Sequence, residues 1–184
     1  MTRPPSIPWD ETTNAAIHEH INADSAVELL LRGHLWAEAA LRDGIAAAVD
    51  RPQYLRLDRW TNAQLIDLGL AVGAIPGDLE LPMRRLNTLR NRLAHDVTLE
   101  VSDEEQGSDL FASLPPERQQ FLRERMAADR GDSEPEGGRD QVPFLRYAIA
   151  GIVIGMQSWR QSIVDQKAEL ERRLDGYRKE GWLK

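Results

Sequence analysis

Residues 143–163 read PFLRYAIAGIVIGMQSWRQSI, and their spacing decides the fold. Leu145, Ile149, Ile152, Met156, Trp159 and Ile163 follow one another at intervals of four and three. That is the repeat of one face of an α-helix, not the alternation of a strand. Pro143 is acceptable in a first helical turn, and Leu170, Leu174 and Tyr177 carry the stripe onward. The spacing predicts one long C-terminal helix whose apolar face lies in a bundle core or along a partner helix, with core packing the simpler outcome.

The same periodicity extends upstream. Ser25 is an N-cap, and Glu28 three residues on completes a capping box. They open a helix from Ala26 to about Val49, ended by Arg51-Pro52. Its apolar face, Leu29, Leu30, Gly33, Ala37, Ala40, Leu41, Gly44 and Ala48, is rich in small residues that admit a second helix closely. After a connector from Gln53 to Trp60, Thr61 caps a helix through Leu65, Leu68 and Val72, stopped at Gly73-Ala74-Ile75-Pro76-Gly77. Another helix begins between Asp78 and Pro82 and runs to about His95. The chain is acidic and polar from Glu100 to Asp109, and Pro115-Pro116 opens a helix to about Asp129. A short helix is expected from Thr13 to about Asn22, with residues 1–12 irregular. Residues 130–141, RGDSEPEGGRDQ, have the composition of an acidic flexible loop, where limited proteolysis should cut first. The fold class is all-α: an up-and-down helical bundle with a long C-terminal helix, one domain over residues 13–184.

Composition narrows the chemistry. The chain has 184 residues, no cysteine, 23 Lys+Arg and 30 Asp+Glu, for a net charge of -7. Thiol nucleophiles, disulfides and thiolate zinc sites are excluded, and a general polyanion coat is disfavoured. The opening MTRPPSIPWDETT lacks the apolar core of a signal peptide, and the longest apolar run, Ala148 to Met156, is too short to span a bilayer. A cytoplasmic protein without membrane association is expected.

Against this acidity, Leu81 to His95 reads LPMRRLNTLRNRLAH, with Arg84, Arg85, Arg90 and Arg92 and no acid. At about 100° per residue, Leu79, Met83, Leu86, Leu89 and Leu93 form its buried face, and Arg90 falls inside that stripe. An arginine there needs a carboxylate, carbonyls or an anionic ligand. Asn91 and His95 share an adjoining face. Arg90 and His95 are about 140° apart on a regular helix, so they converge only if the helix loosens or a second copy approaches. A core arginine satisfied by an acid, beside a histidine at a helix C-terminus, would leave the same pattern.

Arg90-Asn91-Arg92-Leu93-Ala94-His95 resembles the R-x4-6-H motif of the HEPN superfamily, with Asn91 as the polar residue that commonly follows the arginine. Leu31 to Leu41, LRGHLWAEAAL, resembles the long first helix of those bundles; Thr61 to Gly73 and Leu86 to Asp96 resemble their downstream helices. The resemblance covers Ser25 to Asp96, with the last helix a less specific addition, and Val97 to Gln141 has no counterpart in it. It implies a dimeric bundle in which motif residues of both subunits form a metal-independent ribonuclease site without a cofactor. Arg90 would hold the scissile phosphate, His95 would exchange a proton with the ribose 2′-hydroxyl or the leaving oxygen, and Asn91 would orient either. Arg84, Arg85 and Arg92 would bind single-stranded RNA or tRNA. Many members are toxins or phage-defence effectors restrained by a nucleotidyltransferase-like antitoxin. The same motif is similar to the mannitol-operon repressor group, which keeps open a non-catalytic binding or regulatory role. A homodimer is expected in which the two Pro82–His95 segments approach each other.

Other candidates are weaker. His18 and His20, two apart on a helix, point about 200° away from each other and cannot share an ion. His34 and Glu38, at i and i+4, read as a surface pair, although Glu38 could orient Arg90 if its helix packs against the arginine-bearing one. There is no Walker loop, dinucleotide fingerprint, nucleophile elbow or HExxH.

Overall fold

The stripe on the last helix meets the small-residue stripe on the first long one. This is seen in a computed structural model, which describes Ala16, Ile17, Glu19 and residues 25–96, 98–130 and 143–179. The α-helices are α1 (Ala26–Ala48), α2 (Asn62–Ala71), α3 (Glu80–His95), α4 (Ser108–Ala112), α5 (Pro116–Arg130) and α6 (Pro143–Lys179). Short 3₁₀ turns lie at Pro52–Tyr54, Leu57–Arg59 and Gly77–Leu79. No strand occurs among the described residues, and the all-α bundle is as the periodicity predicts. No helix among them is long and apolar enough to cross a membrane. Ala16, Ile17 and Glu19 are helical and Ile17 is buried. His18 and His20, residues 1–12 and the loop expected at 130–141, save for Arg130 at the end of α5, lie outside the described residues.

The most extensive contact joins α1 and α6. Gly33 sits against Ile149, and Gly44 near Met156, so the two helices run in the same direction. A Cβ built on Gly33 would stand 2.5 Å from Ile149 Cγ2, closer than packed carbons can approach. Gly33→Val is therefore expected to destabilise the bundle by about 1–3 kcal/mol through overpacking. Urea unfolding should show a lowered midpoint with an unchanged slope. Around this contact the core gathers Leu29, Leu30, Leu41, Ile45, Leu65, Ile66, Leu79, Met83, Leu86, Leu145, Ile149 and Ile152.

Local signals act largely as chemistry dictates. Thr61 and Gln64 form a complete capping box at the start of α2. At the start of α1 only half a box forms: Ser25 Oγ accepts from Glu28 N at 3.4 Å, while the Glu28 carboxylate pairs with Arg32. Gly73, with φ +69°, ends α2 in the left-handed conformation that lets Ala74 N donate back to Gly69 O at 2.7 Å.

The C-terminal stripe divides in two. From Leu145 to Met156 its residues are buried, but beyond Met156 no described residue of α6 is. Trp159, Val164, Leu170 and Tyr177 are exposed. Core packing, the simpler of the two expected outcomes, thus holds from Leu145 to Met156 alone.

The acidic stretch after α3 is ordered by one carboxylate. Asp103 begins a π-helical turn, Asp103–Gly107, that continues into α4. It is buried, and its two oxygens accept from Phe144 N at 2.9 Å and Leu145 N at 2.6 Å. A carboxylate 41 and 42 residues away in sequence from the two N–H groups therefore caps the first turn of α6, where free N–H groups and the helix dipole favour negative charge. Phe111 of α4 and Phe144 of α6 pack edge to face at 5.3 Å beside it.

Candidate functional site

Leu79, Met83, Leu86 and Leu89 pin α3 to the core, which sets where each polar residue of the helix points. Asn91, Arg92 and His95 are exposed, and Arg90 is half-buried on the flank facing α1. Arg90 Nη1 donates to Asn91 Oδ1 at 3.3 Å. Among the described residues Arg90 forms no ion pair, so its charge lacks a carboxylate to answer it. The helix stays regular through His95, and Asp96 N closes its end on Arg92 O at 2.8 Å. Arg90 and Asn91 are thus brought together, whereas His95 lies one turn beyond Asn91 and the helix does not loosen to join it to Arg90.

The other arginines differ in what they have left to offer. Arg84 is engaged by Asp67 at 2.7 Å and Glu80 at 2.9 Å, which together raise its already high pKa. Arg85 donates to the Asp109 carbonyl at 2.7 Å. Arg92, at the far end of the same face, is exposed, and behind the hydrogen bonds from Thr98 its charge helps to hold the Asp96 carboxyl below its ordinary pKa. With Thr88, these three arginines line a cleft of about 280 Å³ between α3 and Gln106–Leu110.

A polar cluster lies inside the bundle, near enough to Arg90 for its charge to act on the histidine there. Here one sequence expectation is corrected: His34 is no surface residue but is 5% exposed. It follows Gly33 on α1 and shares a face with Leu30, Ala37 and Leu41, which carry it inward. Asn62 Nδ2, at the start of α2, lies 3.0 Å from His34 Nε2 and donates to Glu38 Oε2 at 3.2 Å. A carboxylate can only accept, so Glu38 fixes the Asn62 amide orientation. That in turn makes His34 Nε2 an acceptor and places the ring proton on Nδ1. Asn87 of α3 lies near the same ring and favours its protonated form. Glu38 also pairs with Arg42, whose Nε donates to Leu57 O at 3.3 Å. Glu38 therefore holds Arg42 and Asn62, and no bond from it to Arg90 is seen among the described residues.

Burial pushes the His34 pKa below its ordinary value; the charge of Glu38 opposes this and that of Arg90 reinforces it. The Glu38 carboxylate, 3.9 Å from Nδ1, is beyond hydrogen-bond range and already serves Arg42, so burial prevails and the ring is neutral at pH 7. Because the folded pKa is depressed, the unfolded chain takes up a proton first on acidification. This contribution to stability is whole above about pH 6.5 and declines as the pH falls below it. The melting temperature should drop between pH 7.5 and 5.5, and more steeply than in His34→Gln.

His34 and Asn62 are the polar residues that helical spacing undervalued. Their signal was present: His34 stands four residues after Leu30 and three before Ala37, inside the apolar face.

No family model, curated protein or solved structure matches this chain.

Proposed function

We propose that the protein is a metal-independent endoribonuclease of HEPN type, acting as the toxin of a toxin–antitoxin or phage-defence pair through a site composed by two copies of α3. The observation that carries this reading is Arg90: a half-buried guanidinium held in the flank of α3 with no carboxylate partner among the described residues. Such a charge is unfavourable unless an anion completes it. A phosphodiester suits the fork geometry of the guanidinium.

In this reading Arg90 clamps the scissile phosphate and Asn91, already hydrogen-bonded to it, fixes its direction. His95 exchanges the proton: it takes the 2′-hydroxyl proton as that oxygen attacks phosphorus, and gives a proton to the 5′-oxygen as its bond to phosphorus breaks. The products are a 2′,3′-cyclic phosphate and a 5′-hydroxyl. Arg90 and His95 diverge on a regular helix, so each Arg90 works with the His95 of a second copy. Arg92 and Arg85 offer cationic contacts to flanking phosphates from the separate cleft between α3 and Gln106–Leu110, with Arg84 contributing least because Asp67 and Glu80 already neutralise it. The internal engagement of Arg84 and the net charge of -7 favour a second reading, a non-catalytic helical binding or regulatory module.

Incubating the purified protein with a single-stranded RNA oligonucleotide and with tRNA separates the two readings. The ribonuclease reading expects cleavage that survives a chelator, cyclic phosphate ends and a dimer by light scattering. A monomer at micromolar concentration removes the composite site. Intact RNA, together with growth effects untouched by His95→Ala, leaves the binding module.

A further inference from the structure

We propose that a second copy of this chain docks on the N-terminal half of α1, across the exposed stripe Val27, Leu31 and Leu35, with the two α1 helices antiparallel about a two-fold axis near Leu31. The proposal names the contact that the composite site needs. It rests on the ribonuclease reading for its catalytic consequence, while the contact itself requires no RNA chemistry.

Val27, Leu31 and Leu35 follow one another at intervals of four, which keeps them on one flank of α1. All three are exposed, Leu35 by 65%. Glu38 and Arg42 continue the same flank one and two turns on. There α2 begins and a 3₁₀ turn passes: Asn62 Nδ2 donates to Glu38 Oε2, and Arg42 Nε donates to Leu57 O. The covered end of the flank is therefore charged and the open end apolar, the reverse of what water selects for a lone bundle. Apolar residues scattered singly over a surface need no explanation, but three in register at the open end mark a contact surface.

The border of the stripe favours a copy of itself as the occupant. By helical geometry Glu28 lies about 60° to one side of Leu31 and His34 about 60° to the other. Glu28 and Arg32 form the outer border, paired at 2.7 Å within the helix. When two identical helices pack antiparallel across a two-fold axis, each flank faces its own counterpart. With the axis near Leu31, Val27 meets the partner's Leu35, and Glu28 comes level with the partner's Arg32. The inner border is the side of His34 and α3. Leu79, at the start of α3, packs at Gly155 of α6, beside Met156, which lies near Gly44 of α1. Asn87, two turns further along α3, lies near His34. Thus α3 runs back along α1 and carries Arg90 and His95 towards the level of Leu31. The axis that joins the α1 stripes also turns the α3 flanks of the two copies towards each other.

Light scattering of the parent and of Leu35→Glu tests the contact. Position 35 is exposed, so the variant should keep the helical signal of the parent, while its dimer should weaken on the order of 10²-fold, the scale of losing a central interface residue. Glu28→Arg and Arg32→Glu should each weaken the dimer too, because like charges then meet across the axis. Mixed with each other, these two variants should form a heterodimer, detected by native mass spectrometry, in which each contact across the axis again joins opposite charges. This charge-exchange pair decides alone should Leu35→Glu not fold. A parent that is monomeric at micromolar concentration, a Leu35→Glu protein as dimeric as the parent, or a mixture without heterodimers overturns the proposal. Cleavage of a labelled single-stranded RNA is scored separately. If the parent cuts RNA and Leu35→Glu remains an active dimer, the docking fails and the ribonuclease reading stands. If the parent is a dimer, Leu35→Glu a folded monomer, and neither cuts RNA, the docking stands and the ribonuclease reading fails.

Discussion

Replacing His95 by alanine is expected to lower RNA cleavage by about 10²–10⁴-fold, the usual worth of a positioned general acid–base group. His95 is exposed on the last turn of α3, so its removal deprives the core of nothing. The far-UV helical signal, melting temperature and dimer should all stay near those of the parent. This separates it from Arg90→Ala, which should also abolish cleavage but removes a half-buried side chain and therefore carries a possible packing cost. Measured as single-turnover cleavage of a labelled RNA, a His95→Ala protein as active as the parent would mean that the proton moves through another group. Chelator should leave the parent rate unchanged, because the positive charge at phosphorus comes from Arg90 in this mechanism.

The second large effect concerns stability. Asp103→Ala should cost about 2–3 kcal/mol, since it removes charge-assisted hydrogen bonds to two backbone N–H groups and leaves the buried one, of Leu145, without its partner. It also frees the π-turn and α4 from the start of α6. The loss should appear as a lower urea midpoint and as faster hydrogen exchange at Phe144 and Leu145. Asp103→Asn is the instructive companion: it keeps an acceptor oxygen but loses the charge, so it should recover part of the loss. Equal stability of parent and Asp103→Ala would show that the cap contributes nothing to the fold.

Asp103 also marks what helical periodicity cannot reveal. The buried face of α3, Leu79 to Leu89, was legible because a 3.6-residue repeat is written locally in the sequence. So was the stop of α2 at Gly73, where a positive φ is required. The capping of α6 by Asp103 was not legible, because it joins groups 41 and 42 residues apart and an isolated acid among acids carries no period. His34 was misread for a related reason. A polar residue at i, i+4 from Glu38 looks like half of a surface pair, and only its register with Leu30, Ala37 and Leu41 argues for burial. The division of the α6 stripe at Met156 depends on where the other helices end, which no property of α6 itself encodes. For the candidate site, the helix and the flank of Arg90 were legible, but the buried cluster of His34, Glu38 and Asn62 on α1 and α2 was supplied by tertiary packing.

Subunit complementation tests the composite site most directly. Arg90→Ala and His95→Ala proteins, each inactive alone, are unfolded and refolded together so that mixed dimers form. In a mixed dimer one of the two sites combines the intact Arg90 of one copy with the intact His95 of the other. RNA cleavage should therefore reappear in the mixture, with the same cyclic phosphate ends as the parent. A mixture that contains mixed dimers yet stays inactive, beside an active parent, would contradict a site shared between two copies.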